Sequence, residues 1–516
     1  MLCLLNLATM QGATTMQPHH AILVASMACT RNRLDFSSTR RLSRSSSQPS
    51  ILFSLALALA LILGFGQAAQ AQSPQSPSPQ SFRIPKVTID DVERDGEPPA
   101  ALAAAPRKII VDTDPGVDDA AALIWLLSQQ RYPLTPLGIV AVAGNTSVDN
   151  ATTNALMVLS WLRRTEIPVI PGAAAPLSPV PLSSTGKLIH GPDGLWYLGW
   201  ANQQELPAPD PRTAETFYCQ TLQGQEAEVL VLTLGPLTNL AKAMSAADCG
   251  VEWSQVQIVS LGGAKFGGNQ TPVTEFNMWQ DPDAAAVVLG KGAQVTLVTL
   301  DGFGQFTIGP AMLKVLKNTG MPAMRALLPA LETYASVLSS EGGEAALPDP
   351  AAAMAALDAR LALGRPGLVK ILGSDVPEYG RGQTVIALDL VEWPTLAATD
   401  ARLSQIADTV FADPLNPDFG YLAGAIGAIL MENPPNATVV ADILAQQMRR
   451  VFLQGVTAPP GGANAPAGTN TPAPELGDAG SAPVGAPDGD PGTSAQGGSP
   501  EYKLYLPGVQ VGPGGR

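Results

Sequence analysis

Histidine is almost missing from this chain: there are three among 516 residues, and His19 and His20 sit near the start, so His190 is the one imidazole in the body of the sequence. Cysteine is nearly as scarce, with four residues. Cys3 and Cys29 lie near the beginning, while Cys219 and Cys249 could pair in an oxidising compartment. Positive charge is also short: Lys plus Arg number 30 against 44 Asp plus Glu, a net charge of −14. That balance excludes the basic footprint of a nucleic-acid binder. No uncharged apolar run reaches the ~20 residues of a membrane-spanning helix; Ile51 to Phe65 gives 15.

Hydrophobic residues make up 46% of the chain, enough for a sizeable core. The 50 glycines and 47 prolines crowd towards the two ends. Arg31, Arg33, Arg40, Arg41 and Arg44 precede the apolar run, and Ala69-Gln70-Ala71 follows it as a small-x-small site. This order reads residues 1–71 as a signal peptide and the mature chain as secreted or otherwise extracytoplasmic, with an uncleaved anchor as the alternative. Cleavage removes five arginines and Asp35, which takes the net charge from −14 to −18. Residues 72–106 read as a Ser/Pro-rich linker, 107–456 as the folded domain and 457–516 as a Gly/Pro/Ala-rich tail. Within that tail Glu501 to Gln510 is briefly apolar and could serve as a sorting signal.

In the body, short Val/Ile-rich runs at Lys108–Val111, Leu137–Val142, Val169–Ile170, Val229–Leu234, Val256–Leu261 and Val295–Leu300 predict strands covered on both faces. They alternate with helical spacing at Asp118–Leu127, Val148–Leu162, Thr238–Ala247 and Asp283–Leu289. The alternation predicts an α/β fold, a doubly wound, mainly parallel sheet with helices on both faces. Ligands of such sheets bind beyond the carboxyl ends of the strands.

Beyond the first strand, Asp112-Thr113-Asp114-Pro115-Gly116-Val117-Asp118-Asp119 packs four carboxylates into eight residues. Their mutual repulsion calls for a cation. Oxygen ligands with no nearby Cys or His select a hard ion, Ca²⁺ or Mg²⁺, over zinc. After the fifth strand, Gly268 to Asp283 holds Asn269, Glu275 and Asn277, groups suited to the vicinal hydroxyls of a sugar.

These blocks together resemble the inosine-uridine-preferring nucleoside N-ribohydrolases. The signature Asp-x-Asp-Pro-Gly-x-Asp-Asp is matched in full at residues 112–119, and Gly235-Pro236-Leu237-Thr238-Asn239-Leu240-Ala241 and residues 269–277 match two further blocks in order. The resemblance runs from about Lys108 to Asp301 and more weakly to about Gln454. It implies a small-molecule nucleoside substrate and one Ca²⁺ held by Asp114, Asp119, the Leu234 carbonyl and Asp349. It also implies that Asp118, Asn145, Asn269, Glu275 and Asn277 grip the ribose, with His190 near the substrate and Asp114 as general base. The expected chemistry is hydrolysis of the N-glycosidic bond to free base and ribose, through a transition state with oxocarbenium character.

One position departs from the pattern: Pro348 precedes Asp349 where many members carry a histidine, and proline donates no proton. That change leaves open a non-enzymatic reading, a Ca²⁺-dependent nucleoside or ribose binder without turnover. A third reading takes Asp112 and Asp114 as the Asp-x-Asp of a haloacid-dehalogenase-like phosphohydrolase, which leaves residues 269–277 unexplained. Trp196, Tyr197 and Trp200 could stack on a base or pack their loop, and Trp279 is expected beneath its loop. Association into a homo-oligomer is left open by the composition.

Overall fold

The computed structural model describes residues 106–198, 206–318, 321–339 and 344–457. The expected signal peptide, nearly all of the linker, the tail beyond residue 457 and Trp200 lie outside them.

Strand β1 (Arg107–Thr113) opens the fold and is followed by α1 (Val117–Ser128), β2 (Leu134–Ala141), α2 (Val148–Leu162) and β3 (Val169–Pro171). After α3 (Thr185–His190) and α4 (Ala214–Leu222) come β4 (Val229–Thr233), α5 (Thr238–Ser245) and β5 (Gln257–Leu261). Helices α6 (Phe276–Gln280) and α7 (Pro282–Gly290) lead to β6 (Gln294–Val298) and the short β7 (Thr307–Ile308). Then follow α8 (Pro322–Leu338), β8 (Ala345–Ala346), α9 (Pro348–Leu357), β9 (Ala362–Ile371) and β10 (Thr384–Ala387). Three helices over residues 392–432 precede β11 (Ala437–Ile443) and α10 (Ala445–Thr457).

Nine strands form one sheet in the order β10-β9-β11-β6-β5-β4-β1-β2-β3. Pairings from β3 across to β6 and on to β11 are parallel, and β9 is antiparallel to both its neighbours. The fold is thus the expected doubly wound, mainly parallel one. The β9, β10 and β11 edge is an addition that the strand pattern before residue 300 does not announce.

Successive residues of β1 face opposite cores. Ile109 and Val111 join a cluster with α1, whereas Ile110 packs with Phe217 and Tyr218 of α4. Helix α1 is buried from Val117 to Leu126, and α8, α9 and α10 pack against it. Beyond the two aspartates of its first turn it is apolar all round from Ala120 to Leu127, and a helix of that kind belongs in such a place. Its neighbour α9 reads PDPAAAMAAL, and its run of buried alanines lets the two helices approach closely. That approach brings Asp349, in the first turn of α9, to the start of α1. Strand order reverses between the neighbours β1 and β4, the chain running on to β2 and β3 on one side and to β5 and β6 on the other, so the crevice lies beyond the ends of β1 and β4.

Cys219 of α4 and Cys249 are joined, with Cα atoms 4.9 Å apart and 30 residues of separation. Closing a loop of that size is worth about 3–4 kcal/mol on the chain-entropy account. The double Cys219→Ser, Cys249→Ser protein should therefore unfold at markedly lower urea concentration, with an unchanged circular dichroism spectrum before the transition.

Candidate active site

Three of the four clustered carboxylates meet where β1 gives way to α1, and a fourth joins them from α9. One carboxylate oxygen from each of Asp118, Asp119 and Asp349 lies within 4.8 Å of the others, all three side chains being buried. Asp114, 1% exposed, completes the group electrostatically. Burial pushes its pKa well up, and the charges of Asp119 and Asp118 push it further. Asp349 is raised likewise, by burial and then by Asp118, Asp119 and Asp114. Asp118 is pushed up to about 6, chiefly by burial. Among the described residues no Lys or Arg is paired with these groups; the nearest basic group is His190, whose Nδ1 lies 3.6 Å from Asp118 Oδ1. That same Oδ1 is buried without a hydrogen-bond partner. An unpartnered buried oxygen amid like charges and an all-oxygen donor set fit a hard cation.

Asp112 corrects the expectation of a four-carboxylate cluster. It shares the face of Ile110, where its Oδ2 accepts the Tyr218 hydroxyl at 2.7 Å and its Oδ1 accepts Asn239 Nδ2 at 3.1 Å. Burial pushes its pKa up to about 7. Strand periodicity sends it to the α4 side of the sheet, and it buttresses the strand end.

The Asp114 carboxylate is clamped by backbone. Its Oδ2 accepts the Asn145 N–H at 2.7 Å, and glycines close on both of its oxygens. A Cβ on Gly144 would overlap Oδ2, and one on Gly235 would lie 2.5 Å from Oδ1. Asp119 is held as firmly: Oδ1 accepts the Thr113 hydroxyl, and Oδ2 accepts Gly116 N–H and Asn145 Nδ2, both at 3.0 Å. Asn145 thus orients two carboxylates as well as facing the cavity. Gly235→Ala should fold but shift Asp114, and misplacement on that scale costs on the order of 10²-fold in kcat. Steady-state kinetics beside circular dichroism check this.

A cavity of about 300 Å³ opens over the cluster, lined by Asp118, Asn145, His190, Leu234, Asn269, Glu275, Asn277 and Asp349 among others. Glu275 caps α6: Oε1 accepts Asn277 N–H at 3.0 Å, and Oε2 accepts Gly263 N–H at 3.0 Å and Met278 N–H at 3.1 Å. Burial still raises its pKa, to about 7. Asn277 Nδ2 donates to the Leu234 carbonyl at 2.7 Å, which leaves that oxygen its second lone pair. Asn269 is exposed at the rim, its Oδ1 accepting Phe276 N–H at 2.9 Å. His190 is buried, and its Nδ1 accepts Val117 N–H at 3.1 Å, so a neutral ring carries its proton on Nε2. Burial pulls its pKa down to about 4.

The cavity and its carboxylates sit on a chain whose residues 109–450 match the family model described as inosine-uridine preferring nucleoside hydrolase. The chain belongs to this family. It is 31% identical over 327 residues to an uncharacterized protein of Schizosaccharomyces pombe, covering 61% of this chain and 99% of that one. It is 34% identical over 232 residues to the pyrimidine-specific ribonucleoside hydrolase RihA of Shewanella sp. (strain ANA-3), covering 44% of this chain and 70% of that one. A solved plant nucleoside hydrolase, PpNRh1, superposes with a TM-score of 0.56 at 26% identity, covering 69% of this chain and all of that one. This nucleoside hydrolase is accordingly an enzyme of N-glycosyl bonds in ribonucleosides, of a metal-dependent family. The phosphohydrolase reading falls with that membership.

Tyr334 of α8 is a site residue that the sequence does not reveal. Its hydroxyl donates to Ala346 O at 2.8 Å and lies 3.4 Å from Asp118 Oδ2, and its ring centroid is 5.4 Å from that of His190. Trp196 packs its loop instead of lining the cavity, donating Nε1 to Ile189 O at 3.2 Å. Tyr197, the other described aromatic of that loop, is 54% exposed and also lies off the cavity lining. Trp279 is buried beneath its loop, with the Arg381 guanidinium 3.6 Å from the ring centroid. Asp301, beyond β6, accepts Lys265 N–H and Phe266 N–H at 2.8 and 3.1 Å, which ties down the loop after β5.

Proposed function

We propose that this nucleoside hydrolase is exported and calcium-dependent, and that it releases free base and ribose from ribonucleosides with Asp114 as general base. The observation that carries the reading is the convergence of Asp114, Asp118, Asp119 and Asp349 at the switch point, with Asp118 Oδ1 unpartnered. Asp114, Asp119, Asp349 and the Leu234 carbonyl would hold the ion, with Asp118 close enough to share it. When bound, calcium supplies charge neutralisation and acidifies a water at its site.

The chain's own residues do the rest. Asp118, Asn145, Asn269, Glu275 and Asn277 offer acceptors and donors to the ribose hydroxyls and orient the anomeric carbon. The surrounding carboxylates favour positive charge as it develops on the sugar. Asp114, fixed by Asn145 N–H and two glycines, takes the proton of the attacking water. Export rests on the basic and apolar order of residues 31–71 and is supported by the Cys219–Cys249 bond, since disulfides persist in oxidising compartments.

Incubation of residues 72–516 with uridine, cytidine, inosine and guanosine in calcium or EGTA, followed by chromatography, tests the proposal. Free base and ribose should appear in calcium only. Pro348 favours the binder reading; nucleoside binding by calorimetry with no base released over hours would establish that reading instead.

A further inference from the structure

Ser183 stands outside the cavity lining, yet residues on both flanks of the segment 269–277 reach it. Gln280, the last residue of α6, is wholly buried; its Oε1 accepts Ser183 N–H at 2.8 Å and its Nε2 donates to Pro181 O at 3.3 Å. From the other flank Gln270, next to Asn269, donates Nε2 to Ser183 Oγ at 3.1 Å. Its Oε1 is buried with no hydrogen-bond partner among the described residues, so the Ser183 hydroxyl is what holds this side chain. The same Oγ accepts the N–H of Thr185, the first residue of α3, at 3.1 Å. Upstream, Asp281 accepts Leu177 N–H and Ser178 N–H at 2.7 and 3.2 Å, which lays residues 177–183 along the end of α6.

Helix α3 supplies Thr185, Gly186, Ile189 and His190 to the cavity wall, whereas the groups proposed for the ribose come from α1, Asn145 and the 269–277 segment. What α3 offers is therefore the side that a base would meet. A helix of six residues does not hold its own place. Its end is fixed by the Val117 N–H bond to His190, and its start rests on two supports. One is Ser183. The other is Asn145: a Cβ on Gly186 would lie 2.6 Å from Asn145 O, so only glycine lets the helix close on that backbone. Resting on the nucleoside hydrolase reading above, we propose that Ser183, gripped by Gln270 and Gln280, is a positioning residue for the reaction, registering the α3 wall on the ribose groups so that base and sugar are held at one spacing. The three side chains touch no reacting atom and act through α3. Reaction geometry tolerates little slack, since a misplacement of about 1 Å costs on the order of 10²-fold in rate.

The test compares the calcium-loaded wild type with Gln280→Leu, Gln270→Ala, Ser183→Ala and the double Gln270→Ala, Ser183→Ala protein. Kinetics on uridine, cytidine, inosine and guanosine are read beside circular dichroism and calorimetric binding of ribose. Gln280→Leu keeps the volume and loses both hydrogen bonds; it should lower kcat/KM by about 10–10²-fold while its ribose Kd stays within about twofold of the wild type, a split that a general loss of fold does not give. Gln270→Ala should cost less, and nothing further in the Ser183→Ala background, because the hydroxyl it serves is gone. Unchanged kcat/KM in Gln280→Leu, or ribose affinity that falls in step with kcat/KM, overturns this inference and leaves the hydrolase reading standing. Should Gln280→Leu fail to fold, the Gln270 and Ser183 variants decide: losses that add in free energy overturn the inference, and a double variant no worse than Ser183→Ala upholds it. A wild type that releases no base from any of the four nucleosides overturns the hydrolase reading, and this inference with it.

Discussion

Asp114→Asn should yield a folded protein whose turnover is lower by about 10²–10⁴-fold, the usual contribution of a positioned acid–base group. The substitution is nearly isosteric, so the side chain still fits between Gly144 and Gly235, and its carbonyl oxygen can still accept Asn145 N–H. It also removes one of four mutually repelling carboxylates. In the absence of a divalent ion the variant should therefore melt at a higher temperature than the wild type. Loss of kcat together with a raised metal-free Tm separates loss of the base from loss of the fold. Turnover near that of the wild type would show that another group accepts the proton.

Chelation should abolish activity and reverse the ordinary dependence of stability on pH. Without the ion, the folded carboxyl groups at the site hold their protons too tightly: Asp118 sits at about 6 against 3.8, and Asp114, Asp119 and Asp349 are also raised. The folded state then binds more protons than the unfolded one. These groups lend their full stability below pH 4, and that stability is lost as pH rises through the folded values. In EGTA, Tm should fall from pH 5 to pH 8. Calcium should stabilise the fold, most of all at pH 8, by about 4 kcal/mol at a thousandfold excess over Kd, with a matching rise in Tm. A metal-free protein equally stable at both values, or one that calcium does not stabilise, would contradict the electrostatic reading. Differential scanning calorimetry at the two pH values, with and without calcium, makes the comparison.

The six parallel strands from β1 to β6 were legible because each is a short Val/Ile run, and Asp114, Asp118 and Asp119 because they fall just beyond the first. Asp112 misled. Its neighbours in sequence suggested a ligand, yet its parity with Ile110 assigns it to the face covered by Tyr218 and Asn239. Parity was the available signal. Asp349 could be placed only through the resemblance, since what brings it to Asp118 is the alanine-lined approach of α9 to α1, a contact more than 200 residues apart in the chain. Tyr334 had no signal at all: it lies in a helix whose apolar stripe accounts for an aromatic, and its hydroxyl acquires meaning only from the fold around it. The β9 and β10 edge was missed because antiparallel strands at a sheet margin carry mixed sequence, with Arg365 and Pro366 exposed in β9.

A crystal grown in calcium and ribose tests the central claim most directly. One ion should lie at about 2.3–2.6 Å from oxygens of Asp114, Asp119, Asp349 and the Leu234 carbonyl, with Asp114 also facing the anomeric carbon across a water molecule. Electron density with these carboxylates turned apart and no ion between them would contradict that claim.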